Sequence, residues 1–179
     1  MTYNIDTQHS AAQFKVRHMM IANVKGEFDK VSGTVEFDPS NLAISKAEAT
    51  IDVASISTRE TDRDNHLKSP DFFDVAKFPT ITFKSTSISP VSGDDEVQYR
   101  VIGDLTIHGV TKSVTLDVES ITDEVKDPWG FMRRGATAIT RINRGDFGLT
   151  FNMVLEAGGV MVGEKVDITL DLEMTRKPE

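Results

Sequence analysis

Strict alternation of apolar and polar residues is the clearest structural pattern in this sequence. In "KVDITLDLEMTR" (165–176), every second residue from Val166 to Met174 is apolar and the residues between them are polar. Side chains of a β-strand point alternately to its two faces, so this period of two predicts a strand with one buried and one solvated face.

Six further segments alternate in the same way. They are "AAQFKVRHMM" (11–20), "VSGTVEFD" (31–38), "SKAEATIDVAS" (45–55), "VQYRVIGDLTI" (97–107), "SVTLDVES" (113–120) and, more weakly, "ATAITRIN" (136–143). Turn sequences such as "DPSN", "SGDD" and "DPWG" lie between them. About eight strands with short connections predict an all-β protein, either an up-and-down antiparallel barrel or a sandwich. No repeat or linker divides the chain, so we expect a single domain over residues 1–179.

The segment "RETDRDNHLKSPDFFDV" (59–75) departs from this pattern and is the main helical candidate. Ser57 or Thr58 can cap its start, and Lys68 lies near its end, where the helix dipole favours a cation. Ser69 and Pro70 then predict a new short turn that carries Phe72 and Phe73.

The charges of this segment have two interpretations. Two pairs have the i,i+4 spacing of helical ion pairs, Asp62 with His66 and Asp64 with Lys68. Arg59 and Arg63 would repel each other at the same spacing unless an anion lies between them. The segment is therefore either a solvated helix face or a donor surface for a phosphate-like partner.

Composition excludes several function classes. The 179 residues carry a formal net charge of −8, which is unfavourable for a nucleic-acid or anionic-membrane surface. The absence of cysteine rules out disulfides and thiolate chemistry. The sequence has neither a run of about eighteen apolar residues nor a basic start followed by an apolar stretch. We therefore expect no membrane span, no secretory signal and a cytoplasmic protein.

No motif indicates catalysis or a cofactor. The four histidines, His9, His18, His66 and His108, have no metal-ligand spacing, and no GxSxG motif or glycine-rich phosphate loop is present. The sequence does not exclude a pair of catalytic carboxylates, because with 28 acidic residues such pairs arise easily by chance. The arginines of "RRGATAITRINRGDFG" (133–148) are expected to pair with the surplus carboxylates. We expect no metal ion and no cofactor.

The interior of the barrel has two interpretations. An eight-stranded barrel is just wide enough to be filled by side chains or to hold one slim ligand. Small residues on the apolar faces would leave space in it: Ala47, Ala49, Gly103, Ala136 and Ala138. His18, on the apolar side of its strand, is either a core histidine or a polar group in a cavity.

The order of motifs along the chain resembles one known family. The segments "HLKSPDFFD", "GDLTIHGVTK" and "RINRGDFGL", together with "DTQHSAAQFKVRH", "GEFDKVSGTVEFD", "FPTITFKS" and "VGEKVDITLDLE", are similar to those of the YceI-like family of lipocalin-type proteins. The likeness runs from Tyr3 to about Arg176. It implies an extended eight-stranded antiparallel barrel with a short helical segment near residues 59–75.

The resemblance also implies a function. Family members hold long isoprenoid chains, such as polyprenyl phosphates and quinone-like lipids, and many are periplasmic. Because it lacks a signal sequence, this chain resembles the cytoplasmic branch, and the family makes a homodimer plausible. The resemblance implies a non-enzymatic carrier, with residues 59–75 at the barrel mouth. The rivals are a carrier of fatty acids or fatty amides, an enzyme that uses His18 or His66, and a solid-cored interaction module.

Two groups of site residues follow from these expectations. The apolar lining is expected to comprise Phe14, Val16, His18, Met20, Phe28, Ala49, Ile51, Phe72, Phe73, Phe83, Leu105 and Phe147. The donors available to a diphosphate or a quinone carbonyl are Arg59, Arg63, His66 and Lys68.

Overall fold

The alternating segments form antiparallel strands in the computed structural model, which describes residues 1–178. There are twelve strands and one α-helix among these residues. In chain order they are β1 Thr2–Ile5, β2 Ala11–His18, β3 Ala22–Phe28, β4 Val31–Glu36, β5 Lys46–Asp52, β6 Ile56–Ser57, α1 Thr61–Lys68, β7 Thr80–Pro90, β8 Tyr99–Ile107, β9 Val110–Ile121, β10 Val125–Lys126, β11 Met132–Asn143 and β12 Val162–Arg176.

Six of the short strands combine into three long, bent ones. β1 and β2 pair with the same edge of β12, β1 near Met174 and β2 over residues 162–171. β3 and β4 continue each other in the same way beside β2 and β1. β5 pairs with β4 and β6 pairs with β3, which gives the third bent strand. The barrel therefore has eight long strands, and β10 only extends the β11 end as a short hairpin.

Every strand of the barrel lies beside its neighbour in sequence. From the bent β5–β6 strand the order runs through β7, β8, β9 and β11 to β12. β11 and β12 pair without interruption from Met132↔Arg176 to Asn143↔Lys165, and β12 pairs with β1 and β2 to close the ring. The predicted all-β, eight-stranded antiparallel barrel is confirmed, as is the short helix between residues 59 and 75.

The helix has a different N-cap residue from those that the sequence predicts. Glu60, not Ser57 or Thr58, is the N-cap, since its carboxylate accepts hydrogen bonds from the backbone N–H groups of Asp62 and Arg63. The end at Lys68 agrees with the prediction. The N-cap was mispredicted because Thr58 is 5% exposed, so its hydroxyl is occupied inside the fold.

The predicted i,i+4 pairs of the helix do not form. Asp64 accepts hydrogen bonds from the backbone and hydroxyl of Thr58 at 2.8 and 2.5 Å. His66 Nε2 instead lies 2.8 Å from Asp71 Oδ2, in the turn that follows. Local capping and turn contacts therefore replace the helical ion pairs. The single α-helix among residues 1–178 has eight residues, too few for a membrane-spanning helix.

Candidate functional site

An apolar cavity runs through the interior of the barrel. Its volume is about 270 Å³, whereas one water molecule needs only about 10–15 Å³ on the same measure. All eight long strands contribute side chains to its wall, and nearly all of those side chains are apolar. This void is too large to be a packing defect of an otherwise filled core.

The cavity is long and narrow. On β12, for example, every second residue from Val166 to Met174 lines the cavity. These residues span about 27 Å along the strand. With strands tilted by roughly 40° to the barrel axis, that corresponds to about 20 Å of bore. Such a shape suits an extended chain rather than a compact ring system.

The structure places nine of the twelve predicted lining residues on the cavity wall. They are Phe14, Val16, Phe28, Ala49, Ile51, Phe72, Phe73, Phe83 and Leu105. The strand residues among them reach the cavity because the period of two persists across the barrel wall. Ala47, Ala136 and Ala138 also line it, as their small size suggested.

Three predicted lining residues lie elsewhere. His18 is the last residue of β2, and Met20 belongs to the following turn, where it is 58% exposed and covers Gly159. The alternation was extended too far here, since the strand ends at the barrel mouth. Phe147 follows β11 in a 3-10 helix and is only 2% exposed, so it fills the core without lining the cavity.

Gly103, one of the small residues predicted to leave open space in the bore, has that space filled by another side chain. A Cβ atom at Gly103 would lie 2.4 Å from the Phe83 ring, so the glycine makes room for that ring. Gly26 does the same for Phe14, its cross-strand partner on β2. Glycine and aromatic residues therefore share the wall, while the alanines leave the open space.

Residues 59–75, here called the lid segment, cover one end of the cavity. The Phe73 ring packs edge-on against Phe28, with ring centroids 5.7 Å apart. Phe72 packs against Phe151 at 5.0 Å, and His66 contacts both of these rings. The lid segment is thus fastened by aromatic contacts to β3 and to the loop before β12.

The predicted head-group donors of the lid segment lie outside the cavity lining. Arg63 donates to the hydroxyl and the carbonyl of Thr58, both at 2.8 Å. His66 is paired with Asp71, Arg59 is exposed, and Lys68 is half-buried. Two of the four side chains therefore have structural partners, and none of the four lines the cavity.

Sequence reasoning missed a charged residue that does line the cavity. Arg144, at the end of β11, is 6% exposed and donates hydrogen bonds to four backbone carbonyls of residues 149–163. Burial lowers the pKa of its guanidinium from the usual value. The sequence did indicate this inward position. Arg144 lies an even number of residues after Ala136, Ala138 and Ile142, whose side chains all line the cavity.

The opposite end of the barrel is closed by a polar cluster. The Tyr3 hydroxyl donates to Glu124 at 2.6 Å, and Arg176 binds both oxygens of the same carboxylate at 2.6 and 2.9 Å. These hydrogen bonds from Arg176 hold the pKa of Glu124 at about 2, below its ordinary 4.5. One end of the barrel is therefore closed by this polar cluster and the other end by the lid segment.

The YceI-like domain family matches residues 3–174. This chain belongs to the YceI-like domain family. A UPF0312 protein of Staphylococcus aureus strain MSSA476 is 40% identical over 174 residues, which cover 97% of this chain and 96% of that protein.

Solved structures share the barrel of this YceI-like domain. BcnA of Burkholderia cenocepacia is 27% identical with a TM-score of 0.79, and the match covers 94% of this chain and 98% of BcnA. The YCEI protein of Campylobacter jejuni is 32% identical with a TM-score of 0.71, over 90% of each chain. A polyisoprenoid binding domain from Saccharophagus degradans has a TM-score of 0.66 over 98% of each chain, and its 18% identity shows the shared fold alone.

Three ionisable residues outside the cavity of this YceI-like domain have the spacing of a cation site, but an arginine binds there. Asp6, His9 and Glu173 lie close enough together to hold a cation. The guanidinium of Arg133 bonds to Asp6 at 2.9 Å, to Glu173, and to Asp127 at 2.7 Å. An arginine therefore fills the position. Arg133 and Arg141 pair with acidic residues as expected of the arginines of 133–148, whereas Arg134 and Arg144 form no ion pair among the described residues.

The lid segment should open more easily without its helix cap. In Glu60→Ala the N–H groups of Asp62 and Arg63 lose their acceptor, which costs about 1 kcal/mol of helix stability. Because each 1.4 kcal/mol is a factor of ten, amide hydrogen exchange within α1 should rise about fivefold. Asp62→Ala is the control, since it removes an exposed first-turn carboxylate that caps nothing. Equal exchange in both variants would contradict the cap assignment.

Proposed function

We propose that this protein is a non-enzymatic carrier or store of a long-chain isoprenoid lipid, which it holds in the barrel cavity. The observation that carries the proposal is the apolar bore, long, narrow and closed at one end by the lid segment. A chain buried there gains about 0.8 kcal/mol per methylene removed from water, so a long tail binds without specific polar contacts.

Two further observations support this proposal. The wall combines rigid aliphatic residues of the strands with the aromatic rings of the lid segment, which can follow a branched chain. One structure with the same fold is described as a polyisoprenoid binding domain. A polyprenyl phosphate or a quinone-like lipid is the cargo that we propose for this chain.

The rival enzyme would use His18 or His66 on a small substrate. Neither histidine belongs to the cavity lining, and His66 is engaged with Asp71 and two phenylalanine rings. A substrate in the bore would therefore meet apolar side chains at most positions. The same cavity would accept a fatty acid or fatty amide, so cargo identity has to be measured.

The test is native mass spectrometry of protein purified without detergent, followed by solvent extraction of the bound material. A stoichiometric adduct that extracts as a polyprenyl lipid is the expected result. A fatty-acid or fatty-amide adduct would keep the carrier and replace the cargo. Protein that carries nothing and stays empty after incubation with prenyl lipids would refute the proposal. The cytoplasmic location and the homodimer remain predictions.

A further inference from the structure

We propose that the cargo lies in the bore with its polar end towards the lid segment, so that a negatively charged or carbonyl oxygen of that end binds the buried guanidinium of Arg144. This inference rests on the proposed function and names the chemistry of the ligand's head. It places the head within the barrel, beneath the lid segment, rather than on the lid surface where Arg59, Arg63, His66 and Lys68 stand.

The hydrogen bonds of Arg144 leave donor capacity. Nε donates to the Gly163 carbonyl at 2.7 Å, and Nη1 donates to the carbonyls of Leu149 and Phe151 at 2.6 and 2.9 Å. Nη2 donates once, to the Val162 carbonyl at 3.2 Å, which is the longest of the four. A guanidinium has five N–H groups, so one of those on Nη2 has no partner among residues 1–178.

The charge of Arg144 is also left without a contacting carboxylate. The ion pairs among the described residues use Arg100, Arg133, Arg141 and Arg176, and none of them includes Arg144. Glu164 favours its charged form through space but does not contact it. A buried charge that has only carbonyl dipoles around it is costly, and an anionic ligand group would offset that cost.

Arg144 is the one buried charged side chain on the described cavity wall. Glu48 also borders the cavity, but its side chain is half-exposed and pairs with Lys84 on the outside of the barrel. At the other end of β11, Arg134 also has a buried Nε without a hydrogen-bond partner among the described residues, but its guanidinium lies over the rings of Tyr3 and Phe37 and does not line the cavity. A head group in the bore therefore meets its positive charge at the lid end.

The position of Arg144 also links head-group binding to the lid segment. The carbonyl of Phe151 accepts a hydrogen bond from Arg144, while the Phe151 ring packs against Phe72 and His66. A ligand oxygen at Arg144 would lie next to this aromatic contact. The head would then be covered by the lid segment when it closes.

The test compares three ligands with the same branched isoprenoid skeleton: phytanic acid, phytanol and phytane. We expect the wild-type protein to bind the acid about tenfold or more tightly than the hydrocarbon, with the alcohol between them, because a charge-assisted hydrogen bond is the stronger kind. In Arg144→Gln the acid should lose this advantage while the affinity for phytane is kept. Arg141→Gln is the matched control, since Arg141 lies on the outer face of the same strand and pairs with Asp167.

A second measurement needs no variant and covers the case in which Arg144→Gln does not fold. The backbone amide NMR shifts of wild-type protein loaded with acid or with alcohol should differ most near Leu149, Phe151 and Gly163. Equal affinities of acid and hydrocarbon, or shift differences centred on Glu124 at the opposite end, would overturn the inference and leave the carrier intact. Failure of all three ligands to bind would instead count against isoprenoid carriage itself.

Discussion

Replacing Ala138 by phenylalanine is expected to weaken binding of a long lipid about a hundredfold while the barrel stays folded. Ala138 faces the cavity in the middle of β11, where it is packed near Val101 and Leu116. A phenyl ring there would displace roughly four methylenes of the ligand at about 0.8 kcal/mol each. The resulting loss of about 3 kcal/mol corresponds to two orders of magnitude in the dissociation constant.

The same substitution separates a carrier from a solid-cored module. In a filled core, an added ring overpacks its surroundings and destabilises the protein by typically 1–3 kcal/mol. In an open bore, it covers apolar surface and leaves the melting temperature unchanged or higher. Ile139→Phe is the control, because Ile139 is the next residue of β11 and is exposed on the outer face. A strong fall in melting temperature for Ala138→Phe, with lipid affinity unchanged, would disprove the open bore.

Glu124→Gln should destabilise the barrel by about 2 kcal/mol at pH 7, because it removes the negative carboxylate to which both Arg176 and Tyr3 donate hydrogen bonds. The pKa of Glu124 is about 2 in the folded protein and near its ordinary 4.5 in the unfolded chain. A pKa lowered by folding gives stability that is complete above about pH 4.5 and disappears as the pH falls towards 2. The stability difference between wild type and variant should therefore shrink across that interval.

Urea unfolding at a series of pH values between 7 and 3 measures this difference. Glu119→Gln provides the control, since Glu119 is an exposed carboxylate on β9 with no ion pair among the described residues. A difference between wild type and Glu124→Gln that stays constant down to pH 3 would mean that the carboxylate is not what Arg176 stabilises. Lipid affinity should change little, because the cluster lies outside the cavity lining.

The alternation of apolar and polar residues predicted the inward-facing side chains correctly in strands without irregularities. It did not predict them where the pairing register between neighbouring strands shifts. β12 places every second residue from Val166 to Met174 on the cavity wall, as expected from its sequence. β7 has a shift between Ser85 and Ser87 that places Ile88 on the cavity wall, so its inward residues do not follow a single parity. The pattern of β3 is weakened by Gly26, whose missing side chain makes room for Phe14.

The lid segment was located from the sequence, but its contacts were not. The density of charge and the Ser69–Pro70 pair marked a helix followed by a turn, and Phe72 and Phe73 do line the cavity. Which donors remain free depends on residues far away in sequence, such as Phe151. For the same reason, the sequence does not distinguish Arg141, which pairs outside with Asp167, from the buried Arg144.

The pairing of β12 with both β11 and the N-terminal strands has a consequence for folding. The ring closes only when residues 162–176 meet residues 2–18, so its last contacts join segments about 160 positions apart. Barrels dominated by such long-range pairing fold slowly, on the millisecond-to-second scale. During synthesis, the bore cannot exist until β12 has emerged from the ribosome. We therefore expect any cargo to be taken up by the finished chain, not by a nascent one.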